Sequence, residues 1–208
     1  GGGIIGVIIL LLNIFLGGDS SAPDQLPNFP QQGQTMSAEE QAEDDARAEF
    51  VKVVLADTED VWYHLFEKEG GRYSPPTLVL YRDRVQSACG VAGSQSGPFY
   101  CPGDQKLYID LSFYEELQNR FRAPGDFAMA YVVSHEVGHH IQHLMGLTTK
   151  MARMRQQLSQ EEYNSYSVKM ELQADFLAGV FAHHAQKMKN ILQEGDIEEA
   201  LNAANAIG

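Results

Sequence analysis

The chain has 208 residues, of which 44% are hydrophobic, and it carries a formal net charge of −13 at pH 7. This length fits one domain of moderate size with short appendages, and the hydrophobic fraction is ordinary for a globular protein. The negative charge argues against a nucleic-acid backbone as the partner, but it does not identify a substrate.

An apolar segment lies at the N-terminus. Ile4–Leu16 is apolar except for Gly6 and Asn13, but this core is shorter than the roughly 20 residues that span a bilayer. A membrane anchor, the core of a secretory signal and a buried strand or helix all remain open. No small-residue cleavage site follows, which favours a retained anchor in residues 1–16. Residues 17–36 lack apolar periodicity and are predicted to be a flexible linker.

Residues 37–208 are predicted to form one folded domain, which begins with a long helix. Ser37-Ala-Glu-Glu40 is a capping box, and apolar residues at helical spacing follow it. The helix is predicted to cover about Ala38–Lys68, with an expected break near Asp57. We expect it to pack behind the helix that carries the motif described below.

Three strands are predicted after this helix: Thr77–Tyr81, Gly97–Tyr100 and Lys106–Leu111. In the third, Leu107, Ile109 and Leu111 alternate with more polar residues, which is the period-two pattern of a half-buried strand. The sequence therefore predicts a small sheet in a mostly helical α+β domain.

The chain has two cysteines, Cys89 and Cys101, and no further Cys or His lies near them. This spacing argues against a zinc site made by the pair. They are either two free buried thiols or a disulfide that closes the glycine-rich loop Gly90–Gly97. A location outside the cytoplasm, which the apolar leader suggests, favours the disulfide. Such a crosslink would contribute roughly 3 kcal/mol.

The segment Ser134–His140 contains the spacing His-Glu-x-x-His. On a helix, residues four apart lie on one face, with Cβ atoms roughly 5–6 Å apart. His135 and His139 can therefore both direct an imidazole nitrogen at one zinc ion. Glu136 lies one step round the helix, where a carboxylate can act as the general base on a metal-bound water in peptide hydrolysis.

Apolar residues on both sides predict that this motif lies inside one mostly buried helix. Phe127–Val133 leads into the motif, Asp126 is a candidate N-cap, and Gly146 is a candidate stop. Gly138 lies between the two histidines, where it lowers helix stability by roughly 1 kcal/mol relative to Ala. We interpret this glycine as a point at which another backbone approaches the helix closely.

A catalytic zinc usually takes three protein ligands and leaves a fourth position to water, so one ligand is still missing. Glu171 and Asp175 lie four apart on a second, largely apolar helical segment. Two carboxylates on a buried helix are costly unless they are paired or bind metal; the alternative is a solvated stripe. We assign Glu171 as the third ligand and Asp175 as the acceptor that fixes the tautomer of a zinc histidine.

Amide hydrolysis also needs a donor that stabilises the oxyanion. Tyr163, Tyr166, His183 and His184 are candidates by chemistry alone. Each is as readily explained as a packing or surface residue.

His-Glu-x-x-His followed by Glu-x-x-x-Asp resembles the gluzincin class, and the chain resembles more closely the bacterial family of putative neutral zinc metallopeptidases. The segments that carry the resemblance are Ser87–Gly90, Gly97–Pro102, Tyr108–Leu111, Ser134–Gln142 and Glu171–Gly179. With the N-terminal segment, the resemblance covers nearly the whole chain. It implies one zinc ion per chain, held by His135, His139 and Glu171, with Glu136 as the catalytic base.

The resemblance also implies a zincin-like fold, in which a small antiparallel or mixed sheet borders the motif helix. An extended peptide can pair with the edge strand of such a sheet, and either Tyr108–Leu111 or Gly97–Tyr100 would be that strand. A further C-terminal segment is normal in the family, so we expect the chain to be a fragment of a longer protein.

These observations predict a zinc metalloendopeptidase that cleaves peptides or proteins. We expect a single-pass anchor in the bacterial cell membrane and a catalytic domain outside the cytoplasm. The alternative is a non-catalytic, zinc-containing, membrane-tethered protein that binds peptides or serves as an adaptor. Glu136 discriminates between them, because a binding protein has no need of a carboxylate beside the water.

Overall fold

The computed structural model describes residues 36–93, 96–119, 121–122 and 125–207. The helices are α1 (Ala38–Lys68), α2 (Phe113–Asn119), α3 (Asp126–Leu144), α4 (Leu147–Arg155), α5 (Gln160–Lys189) and α6 (Asp196–Ile207). The strands are β1 (Thr77–Tyr81), β2 (Arg84–Ser87), β3 (Gly90–Gly93), β4 (Phe99–Cys101) and β5 (Lys106–Asp110). The predicted mostly helical α+β class is confirmed.

The predicted anchor in residues 1–16 and nearly all of the predicted linker lie outside the described residues. Within the ranges that the structure describes, no helix combines the length and the apolar character that crossing a bilayer requires.

The main sheet is mixed and has three strands in the order β1-β5-β4. β1 runs parallel to β5, and β4 runs antiparallel to it. The prediction that β5 is half-buried is wrong, because Leu107, Tyr108 and Ile109 are all buried. Tyr108 stacks on Phe99 of β4 with ring centroids 4.7 Å apart and packs in one cluster with Ala92 of β3, so the second face of β5 is covered as well.

β4 is an edge strand of this sheet and β5 is its centre. Of the two candidates for the edge strand beside the motif helix, Tyr108–Leu111 is therefore wrong, because neighbours occupy both sides of β5. β2 and β3 form a separate antiparallel hairpin that the sequence did not predict.

A disulfide joins Cys89 to Cys101, with an S–S distance of 2.06 Å. The alternative of two free thiols is wrong. Cys89 lies in the turn between β2 and β3, and Cys101 is the last residue of β4. The bond thus fixes the hairpin to the edge strand.

Helix α1 begins as predicted, with the capping box between Ser37 and Glu40 formed in both directions. The expected break near Asp57 is wrong, since the helix is continuous to Lys68. The neighbouring Thr58 is buried, but its hydroxyl donates to the Leu55 carbonyl at 2.7 Å, which satisfies its polar group inside the helix. As predicted, α1 packs against α3.

The N-terminus of α3 differs from the prediction by one residue. Asp126 is the first helical residue, and Gly125, which has no side chain to cap the helix, takes the N-cap position with φ 121°. The carboxylate of Glu199 on α6 replaces the cap, since it accepts the Phe127 N–H at 3.3 Å. A negative charge is favourable at this end of a helix. At the other end, Gly146 adopts a left-handed φ of 77°, which confirms the predicted stop.

Candidate metal centre

The motif helix and α5 bring three predicted ligands to one point. The Nε2 atoms of His135 and His139 lie 3.4 Å and 3.3 Å from the same oxygen, Oε2 of Glu171. One potential ligand atom from each of His135, Glu136 and His139 also lies within 4.8 Å of the other two. Imidazole nitrogens and a carboxylate oxygen are the donors that zinc takes in catalytic sites.

The two helices approach closely at Gly138. A Cβ placed on this residue would lie 3.0 Å from the carbonyl oxygen and 3.1 Å from the Cα of Ala174 on α5. The predicted close approach of another backbone is therefore confirmed. It sets how far α5, and with it Glu171, lies from the two histidines.

We expect Gly138→Ala to weaken zinc binding roughly tenfold, which corresponds to about 1.4 kcal/mol. The added methyl group must push the α5 backbone outward by a few tenths of an ångström, and Glu171 moves with it. Overpacking of roughly 1–3 kcal/mol is partly offset by the helix propensity of Ala, about 1 kcal/mol. The unfolding free energy should therefore fall by only about 0–2 kcal/mol; zinc titration and chemical denaturation measure the two quantities.

Gly179→Ala is the matched control for this prediction. Gly179 is exposed on α5, and its added Cβ would meet no heavy atom within 4 Å. This control should keep wild-type zinc affinity and unfold at the same or a higher denaturant concentration. Equal zinc affinities of the two variants would contradict the close-approach argument.

The second predicted carboxylate lies behind His135. Oδ1 of Asp175 is 2.8 Å from Nδ1 of His135, and it also accepts the hydroxyl of Tyr131 at 2.5 Å. Because a carboxylate only accepts, Nδ1 carries the hydrogen and Nε2 faces the centre. Asp175 thus lies where its predicted partner role requires.

Glu136 is buried beside the histidines and contacts the edge strand. Its Oε2 accepts the backbone N–H of Tyr100 in β4 at 2.8 Å. Burial raises the pKa of this carboxyl above its usual range, although both histidines oppose the effect. A raised pKa brings a carboxylate closer to the range that suits proton transfer near neutral pH.

His140 faces away from the centre and joins three segments of the chain. Its Nε2 lies 2.6 Å from the Ser74 carbonyl, and its Nδ1 lies 3.0 Å from the Tyr100 hydroxyl. Burial lowers the pKa of His140. The neutral ring therefore donates from Nε2 to the carbonyl and accepts the Tyr100 O–H at Nδ1, which fixes β4 against the motif helix.

The charges around the centre favour a cation. Burial alone would lower the pKa of His135, but its contacts with Asp175 and Glu171 outweigh burial and raise this pKa to about 10. The two histidines hold the pKa of Glu171 well below its usual range, against the opposing effect of burial. Three carboxylates around two imidazoles thus favour positive charge at this point.

The four candidate oxyanion donors lie in other surroundings. Tyr163 is buried in a cluster with Met151 and Met170, and Tyr166 is exposed. The rings of His183 and His184 contact each other, with centroids 5.1 Å apart. No contact that the structure gives for these side chains supports an oxyanion role.

The sequence reasoning missed three residues around the centre: Tyr131, Gln142 and Tyr100. Tyr131 lies four residues before His135, and Gln142 lies three after His139, where its side chain contacts that ring. Helical spacing could therefore have identified both. Tyr100 lies far from the motif in sequence, and no local pattern identifies its contact with Glu136.

Comparison with known proteins gives one family and several relatives. The model of the family described as putative neutral zinc metallopeptidase matches residues 1–208. An Escherichia coli K12 protein described as uncharacterized protein YpfJ is 47% identical over 207 residues, which is 100% of this chain and 71% of that protein. Uncharacterized protein Rv2575 of Mycobacterium tuberculosis H37Rv is 40% identical over 146 residues, or 65% of this chain and 48% of that protein. No solved structure matches the chain.

Proposed function

Because this chain belongs to the family of putative neutral zinc metallopeptidases, we propose that it is a zinc-dependent peptidase with His135, His139 and Glu171 as the metal ligands. One observation carries the proposal: Nε2 of each histidine lies within 3.4 Å of the same Glu171 oxygen. Two imidazoles and one carboxylate form a catalytic zinc set that leaves a fourth position open.

The donor set fits one zinc ion per chain. Both Nδ1 atoms are engaged by acceptors, Asp175 for His135 and Gln142 for His139. Both Nε2 lone pairs are therefore available toward one point. A zinc ion held there would supply a Lewis acid that lowers the pKa of water toward about 7 and polarises the scissile carbonyl.

Glu136 supplies the proton transfer in this proposal. It lies beside the ligands on the motif helix, and the Tyr100 N–H orients its carboxylate. The carboxylate removes a proton from the attacking water and returns it to the leaving amine as the peptide bond breaks. Asp175 orients His135 during the reaction and does not itself contact the substrate.

The outer edge of β4 is the proposed binding site for the substrate backbone. The Tyr100 N–H points away from β5, because it donates to Glu136, and in an antiparallel pair its carbonyl then points outward as well. The Tyr100 N–H is held by Glu136, so the outward carbonyl is the group that can accept a backbone hydrogen bond from an extended peptide. This strand beside the metal helix is also the feature that supports a zincin-like fold.

We further propose the location predicted from the sequence, with a single-pass anchor in residues 1–16 and the catalytic domain outside the bacterial cytoplasm. Two features support it. Ile4–Leu16 is almost wholly apolar, and a disulfide between Cys89 and Cys101 suits an oxidising compartment.

Metal analysis and cleavage of an unfolded protein test the proposed function together. We expect one zinc ion per chain and cleavage that stops when a chelator removes the metal and returns when zinc is added back. A purified chain without stoichiometric zinc would contradict the metal centre. A chain that keeps zinc and binds unfolded protein without cutting it would instead support the adaptor function.

A further inference from the structure

We propose that Gln142 is a positioning residue whose amide determines which ring nitrogen of His139 faces the metal centre. The inference rests on the proposed function only in taking His139 as a metal ligand. Gln142 lies on α3 about one turn after His139, and its side chain is fully buried. A buried amide needs partners for both its oxygen and its nitrogen.

The partners of Gln142 fix the orientation of its amide. Nε2 of Gln142 lies 2.7 Å from the carbonyl oxygen of Met170 and 3.1 Å from Oε1 of Gln173. A backbone carbonyl only accepts hydrogen bonds, so the NH₂ group must face Met170. The amide oxygen is then the atom that faces His139, at 2.9 Å from Nδ1.

This orientation determines the tautomer of the histidine. An amide oxygen cannot donate, so Nδ1 of His139 must carry the hydrogen. In the neutral ring, the lone pair is then on Nε2, the atom 3.3 Å from Oε2 of Glu171. Gln142 therefore does for His139 what Asp175 does for His135, but without a second buried charge.

The same amide connects both ligand helices. Met170 immediately precedes Glu171 on α5, so the hydrogen bond that orients the amide also holds the backbone next to the third ligand. A carboxylate at position 142 could accept from His139 but would place its second oxygen against the Met170 carbonyl. An amide satisfies both neighbours, which is the chemical reason for glutamine here.

Nitrogen-15 NMR of the wild-type chain tests the tautomer directly. We expect a slowly exchanging hydrogen on Nδ1 of His139, both without zinc and with zinc bound. Because this hydrogen bond does not require the metal, the result is separate from the proposed function. Finding Nδ1 of His139 without a hydrogen in the zinc-bound protein would overturn the proposal, whether or not the chain cleaves peptides.

Gln142→Met tests the contribution to metal binding. The variant keeps the volume of the side chain but removes the acceptor, and we expect a zinc dissociation constant roughly 10–100-fold higher, with loss of the slowly exchanging Nδ1 hydrogen. Gln157→Met is the control, because Gln157 is exposed beyond the end of α4 and should keep wild-type affinity. Zinc affinity of Gln142→Met within twofold of wild type would overturn the proposal. If that variant does not fold, the wild-type NMR result decides.

Discussion

Replacing Glu136 with glutamine is expected to slow peptide cleavage roughly 10²–10⁴-fold while the protein keeps one zinc ion per chain. Glutamine has the same shape as glutamate, but its amide cannot take a proton from the attacking water. The zinc ligands in the proposal are His135, His139 and Glu171, so the metal should remain bound. Cleavage of an unfolded protein and metal analysis of the same preparation measure both outcomes.

The fold should tolerate this substitution. Glu136 is only 4% exposed, and it accepts the backbone N–H of Tyr100 at 2.8 Å. The amide oxygen of glutamine can accept that hydrogen bond, and a neutral group loses less hydration on burial than a carboxylate does. Loss of activity together with loss of folding would therefore contradict the structural argument.

Glu161→Gln is the matched control, because Glu161 is exposed in the first turn of α5. It should cleave at the wild-type rate. Full activity in Glu136→Gln with zinc bound would remove Glu136 as the base. A wild-type chain that binds zinc and peptides without cleavage would favour the adaptor alternative.

The rule of helical spacing predicted much of the centre from the sequence. It placed His135 and His139 on one face of a buried helix, and Glu171 and Asp175 on one face of another. The same rule also covers Tyr131 and Gln142, which lie about one turn from His135 and His139. Tyr131 donates to the Asp175 carboxylate that contacts His135, and Gln142 contacts His139 directly. A search for polar residues three or four positions from each ligand would have found both.

The register between the two helices could not be predicted from spacing. His135 contacts Asp175, and His139 contacts Glu171. One turn toward the C-terminus of α3 therefore corresponds to one turn toward the N-terminus of α5. This antiparallel register depends on the approach of backbones at Gly138. The glycine was visible in the sequence, but its neighbour on α5 was not.

The position of the edge strand also depends on contacts between distant segments. Both strand candidates were identified from local sequence, but local sequence does not give strand order. Parallel pairing of β1 with β5 places β5 at the centre and leaves β4 at the edge. In this order the Tyr100 N–H lies on the free edge of the sheet, where it reaches Glu136.

Replacing Glu171 with glutamine is expected to raise the zinc dissociation constant by more than about 100-fold. This exceeds the roughly 10–100-fold loss that is typical when a residue that hydrogen-bonds to a metal ligand is replaced. One oxygen of Glu171 lies 3.4 Å and 3.3 Å from the two histidine Nε2 atoms, so the substitution removes the charge shared by both. A neutral amide oxygen is a weaker zinc donor than a carboxylate. Competition with a chelator of known affinity measures the change, and cleavage should be lost with the metal.

The zinc affinities of Asp175→Asn and Glu161→Gln are the reference values for this prediction. Asparagine keeps an acceptor near His135 but loses the charge, so we expect an intermediate loss of affinity, whereas Glu161→Gln should bind zinc normally. Glu136 also lies within the group of potential ligands, and it is the competing third ligand. If Glu136 were the ligand, Glu136→Gln would lose zinc and Glu171→Gln would keep it. The two variants therefore give opposite results for the two assignments, and one zinc titration of each separates ligand from base.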